Sequence, residues 1–335
     1  MKTTISNVEI KSLATWLPSN KIDLMSFCDR FPEKNVRDVI KASGAETVYR
    51  TSEGQKASDV CFNAAEFLLD KENIDRSTID GLVFVSSTRD WIIPDTAVSL
   101  QHRLGLSTDT VCQDINYGCA GYVYGILQAS AWINCGLCKN VLVLASEVLS
   151  PYLNPENVGS IETGEAGTAT IISKGISHFS FEISSNGAKS GVIQLPYDGY
   201  LQQDGMTVFT YGIVNAKKSI LEIMELEGWN ENDVELYALH QSNQMIIKNV
   251  RMGLKSTPEK FPTNMKEFGN TGCASIPLLL SDLYGTHNKK QPSNAILCAF
   301  GVGLTCASVS VDFSKTKIYE PCLLYTSDAA DDSLR

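Results

Sequence analysis

Three side chains in this sequence could form a nucleophilic site: a cysteine, a histidine and an asparagine. Cys119 lies between small residues in Asp114-Ile-Asn-Tyr-Gly-Cys-Ala-Gly-Tyr, where a strand pattern turns into an apolar helix pattern. A thiol at a helix N-terminus is close to free N–H groups and to the positive end of the helix dipole, which favour the thiolate. This pattern predicts a cysteine nucleophile. The alternative, a buried packing cysteine, is the interpretation we give to Cys273.

The histidine and the asparagine are candidate partners of this thiol. His240 directly follows the apolar strand Leu236–Leu239, and a histidine at the C-terminal end of a strand suits the rim of an α/β active site. Considered alone, it is as often a capping or packed core residue. Asn270, in Phe-Gly-Asn-Thr-Gly, opens a predicted helix, where its alternative role is the helix N-cap. The other three histidines, His102, His178 and His287, have polar neighbours in the sequence.

An internal repeat suggests how these residues come together. Three features recur at one spacing, because 272 − 118, 294 − 140 and 236 − 82 all equal 154. The matching segments are Gly118–Ala120 with Gly272–Ala274, Asn140–Ala145 with Asn294–Ala299, and Leu82–Val85 with Leu236–Leu239. Each half reads as helix, buried strand, small-residue turn, apolar helix and second strand. Because the strands are continuous apolar runs, we expect a layered α/β fold with helices covering both faces of each sheet.

The repeat also predicts the domain organisation. The first half, residues 1–174, carries Cys119, and the second half, residues 175–319, carries His240 and Asn270. A new strand pattern begins at residues 178–183. Residues 320–335 are polar, acidic and without period, which predicts a disordered or non-native tail.

Composition excludes several classes of protein. The 335 residues are 43% hydrophobic and 20% charged, with a net charge of −10, which argues against a general nucleic-acid or anionic-membrane binder. No apolar run reaches the roughly 18–20 residues of a membrane helix, and the N-terminus lacks a signal-peptide pattern, so we expect a cytoplasmic protein. The ten cysteines are scattered, and Cys135 and Cys138 form a lone CxxC, which favours free thiols over disulfides or a metal site.

Several motifs together resemble one known family. Tyr117-Gly-Cys-Ala-Gly-Tyr, His240-Gln-Ser-Asn, Phe268-Gly-Asn-Thr-Gly and Phe300-Gly-Val-Gly-Leu-Thr follow the order and approximate spacing of β-ketoacyl-acyl-carrier-protein synthase III. Gly164-Glu-Ala-Gly-Thr-Ala resembles that family's Gly-Asp-Gly-Ala-Gly-Ala segment. The resemblance runs from about Ile5 to Phe313. It implies a thiolase fold with layers α-β-α-β-α, and a homodimer.

The resemblance also implies a mechanism and a substrate class. Cys119 would take an acyl group from a thioester, with an oxyanion hole formed by its own N–H and that of Val302. A malonyl thioester on acyl carrier protein would lose CO2, while His240 and Asn270 donate hydrogen bonds to its thioester carbonyl. The product would be a 3-oxoacyl carrier protein, for fatty-acid or related specialised acyl-chain biosynthesis. No metal or organic cofactor is needed.

The sequence departs from the family where coenzyme A is usually bound. The family's tryptophan and arginine fall at Asp38 and Ala42, and two further arginines fall at Pro151 and Met245. These changes remove stacking and charge-assisted phosphate contacts, so the choice between coenzyme A and carrier protein as donor stays open. The family has a glycine in its oxyanion loop at the position of Val302 in this sequence. The backbone N–H of Val302 can take the same place if the φ angle of this residue is negative.

Two further sets of residues complete the predicted site. The resemblance implies an acyl pocket lined by Ile93 and Phe300. Lys248, Arg251 and Lys255 follow His240 at spacings of i, i+3 and i+7, which predicts a basic helix face that docks an acidic carrier protein. A solvated charged face is the alternative interpretation of that stripe.

Two other functions remain open from the sequence alone. A synthase-like acyltransferase would move the acyl group to a hydroxyl or amine without condensation, and a non-catalytic partner subunit would not react at all. Asn270 favours condensation, because transfer to a hydroxyl or amine requires a general base but no donors to an enolate. The presence of Cys119, His240 and Asn270 together disfavours a non-catalytic subunit.

Overall fold

The computed structural model describes residues 1–285 and 289–323 of the chain. His287 and residues 324–335, which form most of the predicted tail, lie outside the described residues.

Strands and helices alternate along most of the chain. The strands are β1 (Lys2–Leu17), β2 (Asn20–Asp23), β3 (Thr47–Arg50), β4 (Gly81–Val85), β5 (Val111–Ile115), β6 (Asn140–Ser146), β7 (Gly167–Ser185), β8 (Ile193–Gln194), β9 (Gln202–Gln203), β10 (Leu236–Leu239), β11 (Ala295–Gly301), β12 (Thr305–Val311), β13 (Lys317–Ile318) and β14 (Cys322–Leu323). The α-helices are α1 (Glu33–Ser43), α2 (Ala57–Lys71), α3 (Thr96–Arg103), α4 (Gly121–Asn134), α5 (Gly205–Glu227), α6 (Gln244–Leu254), α7 (Met265–Phe268) and α8 (Ser275–Tyr284).

The main sheet runs in the order β10-β11-β12-β7-β6-β4-β5, and β1 pairs along the length of β7. β4 is parallel to both of its neighbours, β5 and β6, and β10 is parallel to β11. The C-terminal ends of β4, β6, β10 and β11 therefore lead into the loops that carry Ser87, Glu147, His240 and Val302. Loops at this position are where α/β folds usually place binding and catalytic residues.

Side-chain alternation on the strands builds five layers. On β4, Val83 and Val85 belong to the core cluster that contains α4 and α8, whereas Leu82 and Phe84 pack with α2 and α3. β11 shows the same alternation. One face packs in the cluster that contains α4 and α8, and the other face packs in a cluster formed with α5 and α6. Each fully buried Val, Leu or Phe contributes about 1.5–3 kcal/mol relative to an exposed one. The predicted α-β-α-β-α arrangement is confirmed, with α4 and α8 in the middle layer.

The 154-residue repeat corresponds to equivalent elements of the structure. β4 matches β10 and β6 matches β11, while Gly118–Ala120 and Gly272–Ala274 are both 3₁₀ turns that open a central helix. Those two turns contact each other across the middle layer. The repeat therefore brings the two turns together, as the sequence predicted.

The predicted restart of the strand pattern at residues 178–183 is wrong. β7 is one strand of 19 residues. Its first part pairs with β6, through Gly167–Ser173, and its last part pairs with β12, through Phe181–Ser185. The proposed boundary after residue 174 therefore lies inside a continuous strand, at the place where that strand changes partner.

The first residues of the predicted tail also have regular structure. Cys322–Leu323 forms β14, which pairs in parallel with Trp16 and Leu17 of β1. The predicted tail therefore starts too early, because these residues complete the edge of β1. Among the described residues, no helix combines the length and the apolar character needed to cross a membrane.

Candidate active site

Cys119 lies in the 3₁₀ turn Gly118–Ala120, between β5 and α4. Gly118 has a φ of +48°, and a Cβ atom there would lie 2.5 Å from Val302 Cγ2, so the turn requires glycine at this position. A Cβ atom on Gly301 would lie 3.2 Å from Cys119 Sγ. The end of β11 therefore packs directly on the cysteine. The φ angle of Val302 is not positive, so the condition for keeping its N–H in place is met.

The surroundings of Cys119 disfavour the thiolate that the sequence predicts for the resting site. Burial raises the pKa of Cys119 to about 12, and the negative charge of Glu147 acts in the same direction. A helix N-terminus typically stabilises a nearby negative charge by about 0.3–1 kcal/mol. This is less than the roughly 1.4 kcal/mol that corresponds to one pKa unit. The loss of water around the sulfur outweighs that contribution and favours a neutral thiol in the resting site.

His240 follows β10 and is almost completely buried. Its Nδ1 atom lies 2.7 Å from the Oγ atom of Ser275, the first residue of α8. The ring of Phe300 meets the imidazole edge-on, with ring centroids 5.8 Å apart. Burial lowers the pKa of His240 to about 4, so the ring is neutral near pH 7.

Asn270 is fixed by three hydrogen bonds. Its backbone N–H donates to Glu162 O, and its backbone carbonyl accepts from Gly164 N–H, both at 3.0 Å. Its side-chain Oδ1 accepts from Gly272 N–H, also at 3.0 Å. Because the oxygen is used in this way, Nδ2 is left as the free donor. Asn270 is the repeat mate of Asn116, since 270 − 116 = 154, and both line the same cavity.

One cavity joins the three predicted catalytic residues. It has a volume of about 470 Å³, and its lining includes Cys119, His240, Asn270 and Val302. The structure thus brings together the thiol, the imidazole, the amide and the oxyanion segment, which lie far apart in the sequence. No lysine or arginine is among the described residues that line this cavity.

Sequence reasoning missed Glu147, a buried carboxyl group in the cavity wall. It directly follows β6, and Ser87 N–H donates to both of its carboxylate oxygens at 3.1 Å. Burial raises the pKa of Glu147 to about 7. The available signal was an acidic residue one position beyond the apolar run Val141–Ala145 and Ser146; Glu147 directly follows β6, as His240 directly follows β10.

The structure does not place the predicted acyl-pocket residues in the cavity wall. Ile93 is 84% exposed, on a loop between β4 and α3, so a role in the acyl pocket would require a second subunit. Phe300 is buried behind the cavity, where it packs on His240 and leaves no room for a Cβ atom on Gly212. Phe300 therefore supports the histidine rather than lining the pocket.

The predicted basic stripe is only partly helical. Lys248 and Arg251 lie on α6, which starts beside the cavity-lining residues Asn243 and Ile246. Lys255 has a φ of +57° and ends the helix, so the i+7 spacing does not place it on the same face. A Cβ atom on Gly253 would lie 3.1 Å from Lys217 Cδ, so Lys217 of α5 packs on a different side of α6 from Lys248 and Arg251.

The positions where the usual arginines are replaced lie next to the cavity. Pro151 is in a 3₁₀ turn between the lining residues Leu149 and Leu153, and Met245 is the half-exposed second residue of α6. Neither side chain can bind a phosphate group. These two positions therefore supply no cation for a coenzyme A nucleotide.

The cysteines of this chain are unpaired thiols within the described residues. Cys135 and Cys138 each donate to a backbone carbonyl, those of Trp132 and Asp80 respectively. Across residues 1–285 and 289–323, no group of three or more His, Cys, Asp or Glu side chains has a geometry that could hold a metal ion.

The layered fold and a cysteine, histidine and asparagine in one cavity define a class of thiolase-fold, acyl-transferring enzymes. The family described as 3-oxoacyl-[acyl-carrier-protein (ACP)] synthase III matches residues 113–187, and its C-terminal region matches residues 224–313. The chain belongs to the β-ketoacyl-acyl-carrier-protein synthase III family.

Individual relatives agree with that assignment over most of the chain. A beta-ketoacyl-[acyl-carrier-protein] synthase III from Streptomyces coelicolor is 31% identical over 281 residues, which cover 81% of this chain and 84% of the relative. One from Campylobacter fetus is 27% identical, over 92% of this chain and 99% of the relative. The crystal structure of a 3-oxoacyl-(acyl-carrier protein) synthase from Burkholderia xenovorans is 26% identical, has a TM-score of 0.92 and covers 97% of this chain and 99% of its own.

Proposed function

We propose that this enzyme condenses an acyl thioester with a malonyl thioester on acyl carrier protein, through an acyl group held on Cys119. The observation that carries the proposal is the single cavity shared by Cys119, His240 and Asn270. A thiol supplies the covalent step, and two neutral donors supply the stabilisation of a developing negative charge.

The first step is thioester exchange. Cys119 Sγ attacks the acyl carbonyl, the bond to the carrier sulfur breaks, and the thiol proton ends on the departing carrier thiol. The backbone N–H groups of Cys119 and Val302 stabilise the oxyanion of the tetrahedral intermediate. The contact of Gly301 with the sulfur supports this role for the following residue, Val302.

The second step is decarboxylation of the malonyl thioester and attack of its enolate on the Cys119 thioester. The bond between Cys119 Sγ and the acyl carbon breaks, and the released thiolate takes up a proton from solvent. Ser275 Oγ accepts a hydrogen bond from Gln241 N–H and has its own hydrogen free for His240 Nδ1. That arrangement favours the tautomer with hydrogen on Nε2, which can donate to the thioester carbonyl. Asn270 Nδ2 is the second donor, because its Oδ1 is bound to Gly272.

The same tautomer disfavours simple acyl transfer to a hydroxyl or amine. Such a reaction needs a base to remove the proton of the acceptor. An Nε2 atom that already carries hydrogen cannot act as that base. Condensation requires donors only, and His240 and Asn270 provide two of them.

We further propose that carrier protein delivers the substrates, in the cytoplasm, to a homodimer. Each subunit would have two pseudo-symmetric halves, which meet within β7 near residue 174. The absence of lysine and arginine among the described lining residues supports a carrier protein over coenzyme A. The edge strand β5 and the exposed apolar residues Trp91, Ile92 and Ile93 support the dimer, because a lone chain would leave them in water.

Asn270→Ala tests the division of labour. With the donor removed, malonyl decarboxylation and condensation should fall about a hundred- to a thousandfold, while acylation of Cys119 continues. Release of CO2 and intact mass measure the two steps separately. Cys119→Ala should lose both acylation and condensation, and acylation that persists in this variant would contradict the proposal.

A further inference from the structure

Val302 places a β-branched side chain against the turn that carries Cys119, at a position where the family has glycine. A Cβ atom on Gly118 would lie 2.5 Å from Val302 Cγ2, so the valine occupies the space that this glycine leaves open. A Cβ atom on Gly301, the residue before Val302, would lie 3.2 Å from Cys119 Sγ. The segment that contains Val302 therefore packs directly on the nucleophile and its turn.

Val302 is also part of the cavity wall next to the sulfur. The residue is half-buried, and it lines the cavity together with Gly118, Cys119 and Gly301. An acyl carbon bonded to Cys119 Sγ must lie in this part of the cavity, and so must the carbon attached to it, whatever path the rest of the chain takes. If the Val302 N–H binds the acyl oxygen, as proposed above, the same residue also adjoins the first carbons of the acyl group.

Two sets of contacts hold the Val302 side chain in place. One is the contact with Gly118 at the turn. The other is with an apolar cluster formed by Ile193, Val208 and Leu304. The Val302 carbonyl accepts a hydrogen bond from Thr305 Oγ1 at 2.8 Å, which fixes the backbone. Because a β-branched side chain has few rotamers, a wider acyl group cannot displace the valine without disturbing these contacts.

We propose that Val302 is a specificity-determining residue, which admits straight acyl groups to Cys119 and excludes those branched at the carbon next to the thioester carbonyl. A straight chain leaves two hydrogens on that carbon, whereas a branch adds a methyl group against a wall that is already packed. The strain of fitting an extra methyl group into a packed site corresponds to a loss of about ten- to a hundredfold in rate. The inference rests on the proposed function, because the acyl group must reach Cys119.

Two isomeric thioesters of N-acetylcysteamine test the proposal: butyryl, which is straight, and 2-methylpropanoyl, which is branched. Intact mass follows the rate of Cys119 acylation with each, and exchange with a small free thiol corrects for their intrinsic reactivities. The native enzyme should prefer butyryl by about ten- to a hundredfold. Val302→Ala, which removes two methyl groups, should raise the rate with the branched thioester and remove most of that preference. Partial loss of folded enzyme cannot produce such a gain in rate.

Val192→Ala is the matched control, because Val192 is a half-buried valine that packs on the same cluster but is not among the described residues that line the cavity. Its ratio of rates should equal the native ratio. Val302→Thr, which keeps the shape of valine, should also keep that ratio.

Equal corrected rates of the native enzyme with the two thioesters, or a native preference for the branched one, would overturn the inference and leave the proposed function intact. An unchanged ratio in Val302→Ala, or the same change in Val192→Ala, would do so as well. Failure of both thioesters to acylate Cys119 in the native enzyme would overturn both proposals.

Discussion

The Nδ1 atom of His240 and the Oγ atom of Ser275 lie 2.7 Å apart, so the first residue of α8 fixes the imidazole that directly follows β10. The pair joins two segments separated by 35 residues in the sequence. It also uses the Nδ1 position, which leaves Nε2 to face the substrate. The orientation of the proposed donor therefore depends on a hydroxyl group that does not itself meet the substrate.

Ser275→Ala should slow condensation about fivefold, because a lost hydrogen bond of roughly 1 kcal/mol frees the ring to rotate and to change tautomer. Acylation of Cys119, which does not use His240 as a donor, should change much less. Single-turnover acylation and steady-state condensation measure the two effects. Ser275→Thr keeps the hydroxyl and should retain most of the activity. Equal losses in both steps would contradict the positioning role.

The raised pKa of Cys119 makes a prediction about its reactivity. Because a raised pKa leaves less thiolate at every pH, alkylation of Cys119 by iodoacetamide should rise steadily from pH 6 to pH 10 without a plateau. Peptide mapping follows the rate at this site, and the exposed Cys135 provides the comparison within the same sample. A plateau in the alkylation rate below pH 8 would contradict the raised pKa and support the thiolate that the sequence predicts.

Glu147 should make the stability of the enzyme depend on pH. Its folded-state pKa of about 7 is above the usual value for glutamate, so the folded protein holds a proton that the unfolded chain has released. The contribution of Glu147 to the free energy of unfolding is therefore largest below about pH 4.5. It decreases as the pH rises to about 7 and is constant above that value. The total decrease is roughly 3 kcal/mol.

Glu147→Gln should remove that dependence, because the amide does not titrate. Urea unfolding at pH 5 and pH 8 measures the difference in free energy of unfolding for each protein. The native enzyme should lose more stability between these two values than the variant does. The same loss in both proteins would assign the pH dependence to other groups.

The fold was predictable because its signals are local and repeated. Buried strands such as β4 and β10 are continuous apolar runs, and their constant spacing revealed the duplicated unit. The cysteine, histidine and asparagine each follow a strand or open a helix, so the layered fold was enough to bring them together. The continuity of β7 was not visible, because Lys174 to His178 are mostly polar where the strand crosses between its two partners.

The remaining features depend on tertiary contacts. Burial determines the pKa of Cys119. The sequence pattern indicates that the thiol lies at a helix N-terminus, but it does not indicate the low-dielectric surroundings of the thiol. Ser275 lies at the start of a helix, where a serine is ordinary, and its contact with His240 appears only in three dimensions. Ile93 looked like a pocket residue by resemblance, yet in one chain it faces solvent.

Two basic residues lie on α6, which begins beside the cavity. Lys248 and Arg251 lie on α6, on a chain whose net charge is −10. Among the described residues, the ion pairs do not include these side chains. The charge of Arg251 nevertheless contributes to lowering the pKa of Glu259. A carrier protein with acidic docking residues would be attracted to this surface at a salt-sensitive rate.

Reversing both charges, with Lys248→Glu and Arg251→Glu, should raise KM for carrier-bound substrate and flatten its dependence on salt. Turnover of a short synthetic thioester should change little, because that substrate does not contact the surface. Lys139→Glu with Lys174→Glu is the matched control, since both lysines are exposed at the opposite end of β6 and give the same change in net charge. Equal loss with both substrates, or efficient use of acyl-coenzyme A by the native enzyme, would contradict a carrier-docking role for α6.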